Sequence, residues 1–153
     1  MTIWFRDWEF EIYKEVTQAA YRDRQRGAAD ACRCSNCENF ARQRVKVYPY
    51  EIRELLLALG IDWTKEVGVY AFNDPDNGNY LYTGWFQFAG RILHGETHFS
   101  SLEDGGLLYN LTPITKKFKI CFFNSTGCIG FSETVPTVQL EFEVSLPWLL
   151  PLD

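Results

Sequence analysis

The fold is decided by the stretch Thr137-Val138-Gln139-Leu140-Glu141-Phe142-Glu143-Val144-Ser145. Apolar residues occupy every second position of this stretch, and glutamine or glutamate residues stand between them. Because successive side chains of a strand point to opposite faces, the alternation predicts a β-strand with one buried and one solvated face. A strand of this kind is typical of an antiparallel sheet.

Alternation and aromatic density predict further strands. They are an edge strand at Trp8–Ile12, a hairpin formed by Val67–Phe72 and Tyr80–Ile92 around the turn-forming residues 73–79, and a strand at Lys117–Phe123. Within the hairpin, Gly84 and Gly90 indicate bulges or places where another backbone approaches closely. We also predict that Trp85 and Phe86 flank the centre of the sheet and that at least one of them belongs to the core.

Two helices are predicted in the first half of the chain. Ser35 and Glu38 have the spacing of a capping box, which predicts a helix over about Asn36–Val45. A second helix is expected between Pro49 and Gly60, because apolar residues recur there at helical spacing and glycine suits a left-handed C-terminal cap. A turn or short helix is expected after the first strand.

These elements predict an α+β fold, in which an antiparallel sheet built mainly from Val67 onward packs against one or two helices from the N-terminal half. The chain has 153 residues, of which 46% are apolar and 16% aromatic. A chain of this length and composition supports one core, so we predict a single domain over residues 1–153. The ending Pro147-Trp148-Leu149-Leu150-Pro151 is expected to fold back onto that domain.

Charge and hydropathy narrow the classes of function. The first residues are too charged for a secretory signal, and no apolar run reaches the ~18 residues of a membrane span, so we expect a cytoplasmic protein without a membrane partner. A net charge of -5 argues against a surface devoted to nucleic acid or anionic lipid. The charge is uneven: residues 22–46 contain seven basic and three acidic residues, and residues 68–153 contain four basic and nine acidic ones.

Three cysteines, Cys32, Cys34 and Cys37, fall within six residues. In a reducing compartment such a cluster predicts a thiolate metal site, and zinc is the metal that we expect, in a structural role. A structural zinc ion normally has four protein ligands. The candidates for the fourth ligand are Asp30, His94, His98, Cys121 and Cys128. We consider Cys121 because it shares the strand parity of two lysines and is not expected to belong simply to the core.

Other interpretations of the cluster remain open. An iron–sulfur cluster also uses cysteine thiolates. A redox-sensing thiol would be favoured by nearby arginines and a helix N-terminus. The three residues could also be ordinary reduced cysteines without a metal or a redox role. His94 and His98 are four residues apart, but Gly95 interrupts the helix that would align them. The sequence contains no nucleophile elbow, phosphate loop or dinucleotide fingerprint, so no catalytic or cofactor-binding residue is predicted.

The chain is similar to a family of small bacterial proteins without an assigned activity. The resemblance spans most of the chain and rests on three signatures. They are the Cys-x-Cys-x-x-Cys-x-Asn run over Cys32–Asn39, the Tyr82-x-Gly84-Trp85-Phe86-x-Phe88-x-Gly90 strand, and Val138-Gln139-Leu140-Glu141-Phe142 followed by Pro147-Trp148. The resemblance implies one integrated domain and a bacterial setting, and it assigns no functional residue.

We therefore predict a non-enzymatic intracellular binding protein with a protein partner, and a toxin-neutralising immunity protein as its specific form. An acidic surface suits this role, because it can cover a basic site of a toxin. The alternatives are a small metal- or thiol-dependent enzyme and a zinc-containing nucleic-acid-binding module. In the nucleic-acid-binding module, the basic residues of 22–46, which we call the basic stretch, would bind phosphates, and Tyr48, Tyr50 and Trp63 would offer stacking surfaces. The acidic charge of the rest of the chain disfavours nucleic acid.

Overall fold

The computed structural model describes residues 1–73, 79–96, 99–101, 107–109, 111–125, 131 and 134–151. Its elements follow in the order β1 (Thr2–Phe5), β2 (Trp8–Ile12), α1 (Lys14–Asp23), α2 (Ala28–Ala31), α3 (Ser35–Val47), α4 (Tyr50–Leu59), β3 (Gly68–Asn73), β4 (Tyr80–His94), β5 (Phe99–Ser101), β6 (Leu107–Tyr109), β7 (Thr112–Pro113), β8 (Phe118–Ser125) and β9 (Thr137–Leu146). Among the described residues, none of the helices combines the length and the hydropathy that crossing a membrane requires.

Seven of the strands form one antiparallel sheet in the order β1-β2-β4-β9-β8-β7, and β3 pairs with the first part of β4. The prediction of an α+β fold with an antiparallel sheet is confirmed. The β3–β4 hairpin is also confirmed, although residues 74–78 of its predicted turn lie outside the described residues. The prediction that Trp8–Ile12 is an edge strand is wrong, because β1 pairs with one side of it and β4 with the other. The sequence reading missed β1, which has only four residues.

Helix α1 takes the place of a strand along one edge of β4. Between the part of β4 that pairs with β3 and the part that pairs with β2, the main chain of Gln87 exchanges two hydrogen bonds with the Tyr21 hydroxyl, at 2.7 and 3.0 Å. The Ala89 N–H group donates to the Thr17 hydroxyl at 2.9 Å. These side chains satisfy strand groups that would otherwise be buried without partners. They fix α1 against the sheet.

One face of the sheet packs against the helices and forms an aromatic core. Phe86 and Phe142 lie on this face, and Tyr48 at the end of α3 contacts both, with ring centroids 5.7 and 5.3 Å away. Phe86 is fully buried, whereas Trp85 is half-buried on the opposite face and lies against Tyr70 at 5.4 Å. The prediction that at least one of Trp85 and Phe86 is core is confirmed.

The second face of the sheet is less solvated than the alternation in β9 predicts. Gln87 is buried there and donates to Gln139 at 3.0 Å, and Gln139 donates to Glu141 at 2.8 Å. Burial raises the pKa of Glu141 above its ordinary value, and the hydrogen bond from Gln139 opposes that shift. The polar residues of β9 therefore form a partly buried hydrogen-bond network.

The helix predictions are largely confirmed. Helix α4 spans Tyr50–Leu59 and ends at Gly60, whose φ of 88° is the left-handed conformation that glycine tolerates best. Pro49 is the N-cap of this helix and not part of its first turn. Helix α1 replaces the expected turn or short helix, and the single turn α2 was not predicted. A Cβ atom at Gly84 would meet the Phe142 ring, so the close neighbour there is a side chain, whereas a Cβ atom at Gly90 would meet the main-chain oxygen of Glu11, as predicted.

Candidate metal centre

The three clustered cysteines lie at the junction of two helices. Cys32 is the C-cap of α2, Cys34 is the N-cap of α3, and Cys37 lies in the first turn of α3. The Cys34 Sγ atom accepts a hydrogen bond from the Cys37 N–H group at 3.4 Å. The cap is therefore Cys34, and the predicted Ser35 capping box is wrong by one residue. Its other member, Glu38, accepts a hydrogen bond from Arg42 at 3.1 Å.

The sulfur atoms already have nearly the spacing that a zinc ion requires. The Cys32 and Cys34 Sγ atoms are 3.2 Å apart, and all three Sγ atoms lie within 4.8 Å of one another. Zn–S bonds of about 2.3 Å in a tetrahedron place the sulfur atoms about 3.8 Å apart. The observed separations bracket that value, so small side-chain rotations suffice. The cluster can hold a metal ion.

The surroundings of the thiols differ. The Cys37 N–H group, followed by the Cys32 thiol, lowers the pKa of Cys34 below its ordinary value. Burial, followed by hydrogen bonds to the other two thiols, raises the pKa of Cys37 to about 12. Cys32 and Cys34 are exposed, and Cys37 is buried against the core. A thiophilic cation would favour the thiolate form of all three, since metal binding releases their protons.

None of the described candidates for a fourth ligand joins the cluster. The carboxylate of Asp30 accepts from the Arg44 guanidinium at 3.2 Å. His94 ends β4, with its ring 5.9 Å from that of Trp4. The cysteines lie beside Tyr82, whose hydroxyl donates to the Asn36 carbonyl. Tyr82 and His94 are separated by roughly 40 Å along the extended strand β4, so His94 lies far from the cysteines.

Cys121 is also excluded as the fourth ligand. The prediction that it does not simply belong to the core is wrong. It is fully buried on the face of the sheet opposite the helices, where it pairs with Glu141. Burial, followed by the negative charge of Glu141, raises the pKa of Cys121 to about 12. The sheet separates this thiol from the cluster. His98 and Cys128 lie outside the described residues.

Asn39, the last residue of the cysteine run, connects this region to the end of the chain. Its amide group donates to the Tyr82 hydroxyl at 3.2 Å and to the Pro147 carbonyl at 3.1 Å. Its amide oxygen accepts from the Leu149 N–H group at 2.8 Å. The indole ring of Trp148 packs 4.8 Å from the Tyr80 ring. The predicted return of the C-terminal segment is confirmed, and the three sequence signatures meet at Asn39.

A buried charged site, which sequence analysis missed, lies at the C-terminal end of α3. Glu66 is fully buried and accepts two hydrogen bonds from the Arg44 guanidinium, at 2.8 and 3.0 Å. The Tyr48 hydroxyl donates to the same carboxylate at 3.0 Å. The available signal was that Arg44 shares a helical face with two buried residues, Phe40 and Val47. The set is buried and mutually satisfied, which indicates a structural role.

The basic stretch does not present the aromatic surface considered for nucleic acid. Tyr48 is buried in the core, and Trp63 lies between the Tyr48 ring at 6.2 Å and the Arg53 guanidinium at 5.1 Å. Of the three aromatic residues, Tyr50 is the one that is largely exposed. One exposed ring does not make a stacking platform for successive bases.

Comparison of the chain with protein-family models, with curated proteins and with solved structures finds no match. The resemblance to a family of small bacterial proteins therefore stays a prediction.

Proposed function

We propose that Cys32, Cys34 and Cys37 bind one zinc ion that stabilises the junction between α2 and α3. The observation that supports this proposal is the convergence of three Sγ atoms within 4.8 Å. The Cys37 N–H group that bonds to Cys34 also fits the site, because hydrogen bonds of this kind orient metal ligands and tune their basicity. Solvent reaches the exposed cysteines, so water can take the fourth position. Zinc is preferred to an iron–sulfur cluster because zinc also accepts three protein ligands and a water molecule, whereas the cluster usually has four cysteine ligands.

Metal analysis tests the zinc site. Protein purified under reducing, metal-replete conditions is expected to carry about one zinc ion per chain, and Cys34→Ser is expected to lose it. Cys121→Ser is the matched control, because it removes a thiol on the opposite face of the sheet and should leave the zinc content unchanged. A wild-type content below ~0.2 per chain would contradict the proposal.

The proposed biochemical role is that of a non-enzymatic intracellular binding protein with a protein partner, and a toxin-neutralising immunity protein is its specific form. A net charge of -5 supports a basic partner, and exposed carboxylates such as Asp7, Glu15 and Glu54 are available to it.

Partner capture tests this role. A pull-down from native lysate, read by mass spectrometry, is expected to recover one protein near one-to-one, most informatively the product of an adjacent gene. Association with a basic partner should slow as salt rises, because the Debye length is only about 10 Å at 0.1 M. Association that does not change with salt would contradict an electrostatic interface.

A small metal-dependent enzyme is the second candidate function. It is favoured by one observation: the described cluster offers three ligands and two of them are exposed. Catalytic zinc sites typically combine three protein ligands with a water molecule. Reproducible turnover of a small molecule that Cys34→Ser abolishes, together with no recovered partner, would favour the enzyme over the binding protein.

A further inference from the structure

A pocket of about 630 Å³ opens between the C-terminal half of α3 and the ends of β8 and β9. Three lysines surround it, Lys46 from α3 and Lys116 and Lys117 from the turn before β8, and we call it the lysine pocket. All three side chains are exposed. Its volume lies within the ~300–1,000 Å³ range of small-molecule sites.

The charge of the lysine pocket is opposite to that of the chain as a whole. No acidic residue is among the described residues that line it. None of its three lysines forms a salt bridge within the described part of the chain, whereas Arg6, Arg42, Arg44 and Arg91 do. Only four basic residues follow Val67 in the sequence, and two of them meet here. The three positive charges are therefore available to an anion.

The floor of the lysine pocket is apolar. Val47, Phe118 and Leu146 contribute to it, and all three are nearly fully buried. A ligand that reaches this floor would remove apolar surface from water, which stabilises binding by roughly 25 cal/mol per Å². A simple inorganic ion would gain nothing from these residues.

The walls are held in place before any ligand binds. The Thr115 hydroxyl accepts from the N–H groups of Lys117 and Phe118 at 3.2 and 3.1 Å, and the Lys117 carbonyl accepts from Ser145 at 3.1 Å. Across the pocket, the Gln43 amide donates to the Pro147 carbonyl at 2.8 Å. A fixed wall lowers the ordering cost of binding.

We propose that the lysine pocket binds a small organic anion, a carboxylate, sulfonate or phosphate carried on an apolar body. The anionic group meets the lysine ammonium groups, and the apolar body covers Val47, Phe118 and Leu146. A long polyanion is a poorer occupant, because the net charge of the chain is -5. None of the described residues that line the pocket is a cysteine, so the proposal stands independently of the zinc site.

Two probes of matched shape test the proposal, naphthalene-2-sulfonate and its neutral sulfonamide. Each is titrated into ¹⁵N-labelled full-length protein while amide chemical shifts are recorded. The sulfonate is expected to shift the amides of Val47, Phe118 and Leu146 saturably, and the sulfonamide to bind about tenfold more weakly, since it lacks the charge-assisted hydrogen bonds. Absence of saturable shifts at these amides, or equal affinity for the two probes, would overturn the proposal.

Variants separate the pocket from general charge. The double variant Lys116→Gln/Lys117→Gln is expected to bind the sulfonate about tenfold more weakly, which corresponds to about 1.4 kcal/mol. Lys119→Gln is the matched control, because Lys119 is an exposed lysine of β8 that does not line the pocket. All three substituted lysines are exposed, and the amide spectrum verifies that each variant is folded. Equal weakening in the double variant and the control would contradict the site.

Discussion

Two ion pairs of the same chemistry and nearly the same geometry lie in opposite environments. Arg6 donates two hydrogen bonds to Glu51, both at 2.9 Å, and Arg44 donates two to Glu66, at 2.8 and 3.0 Å. The side chains of the first pair are 39% and 44% exposed, and those of the second are 11% and 0% exposed. Because the geometry is nearly the same, we expect burial, rather than hydrogen-bond geometry, to decide how strongly folding depends on each pair.

Folding should depend more strongly on the buried pair, because an unpaired charge costs more free energy inside the protein than in water. An exposed ion pair contributes about 0–1 kcal/mol, because water solvates either partner when the other is removed. Inside the protein, burial by itself would lower the pKa of Arg44, but the hydrogen bonds and charge of Glu66 outweigh that effect and raise it. Burial, followed by the charge of Glu66, raises the pKa of Tyr48 as well. Each member of the buried set therefore depends on the others.

The largest expected effect comes from Glu66→Gln. The change leaves the Arg44 guanidinium buried, with only the partly exposed Asp30 to balance its charge, and should lower the free energy of unfolding by about 3–5 kcal/mol. The matched control is Glu51→Gln, which breaks the exposed pair and should cost less than about 1 kcal/mol. Urea denaturation at pH 7 measures both. Equal losses would refute the claim that burial separates the two pairs.

Removing the second buried charge sharpens the comparison. The double variant Arg44→Met/Glu66→Gln contains no uncompensated charge that is fully buried, since Asp30, which loses Arg44, is partly exposed. The glutamine oxygen can still accept from the Tyr48 hydroxyl. We expect it to be at least about 2 kcal/mol more stable than Glu66→Gln alone, since uncharged replacements of buried pairs are often tolerated. Denaturation of Arg44→Met, Glu66→Gln and the double variant measures this. If the loss of unfolding free energy in the double variant equals the sum of the two single losses, the unpaired charge is not the cause.

The sequence predicted those parts of the fold whose information is local. The alternation in Thr137–Leu146 and the Pro49 and Gly60 signals around α4 correctly located a strand and a helix, because each pattern lies within a few turns of chain. The four residues of β1 were missed, since so short a strand carries little periodicity. The cap of α3 was misplaced because serine at position 35 is the commoner capping residue, whereas Cys34 provides the acceptor.

The cysteine cluster and the Arg44–Glu66 pair also differ in whether their members are close together in the sequence. Cys32, Cys34 and Cys37 could be grouped from sequence because they are neighbours in the chain. The partner of Arg44 could not be identified, since Glu66 is 22 positions away and no spacing rule relates them. Arg42 is exposed and Arg44 is buried, although both belong to the same basic stretch.

An intermediate effect is expected from Asn39→Ala, which removes a buried neutral group. Asn39 bridges Tyr82 to the main chain of Pro147 and Leu149, so its loss removes three hydrogen bonds. The Tyr82 hydroxyl and the Pro147 carbonyl keep their bonds to Asn36 and Gln43, whereas the Leu149 N–H group loses its acceptor. The cost should be about 1–3 kcal/mol, between those of the two ion pairs. Asn36→Ala, at an exposed position of the same helix, is the control for denaturant midpoints. A loss as small as that of the control would show that the C-terminal segment is held by its apolar contacts alone.

The smallest expected effect is the pH dependence of the exposed pair. The hydrogen bond from Arg6 lowers the pKa of Glu51 below its ordinary value of 4.5, with desolvation opposing the shift. A carboxyl group with a lowered pKa in the folded state contributes stability above its unfolded pKa and loses it as pH falls through the folded value. Wild type should therefore exceed Glu51→Gln by about 0.2–1 kcal/mol at pH 7, a range already discounted for solvent screening. As the pH falls from 4.5 through the lowered folded pKa, that difference should shrink toward zero. Denaturation of both proteins at several pH values across this window measures it. A difference that persists unchanged below the window would show that Glu51 acts by packing and not by its charge, and the contrast with Glu66 would then need another cause.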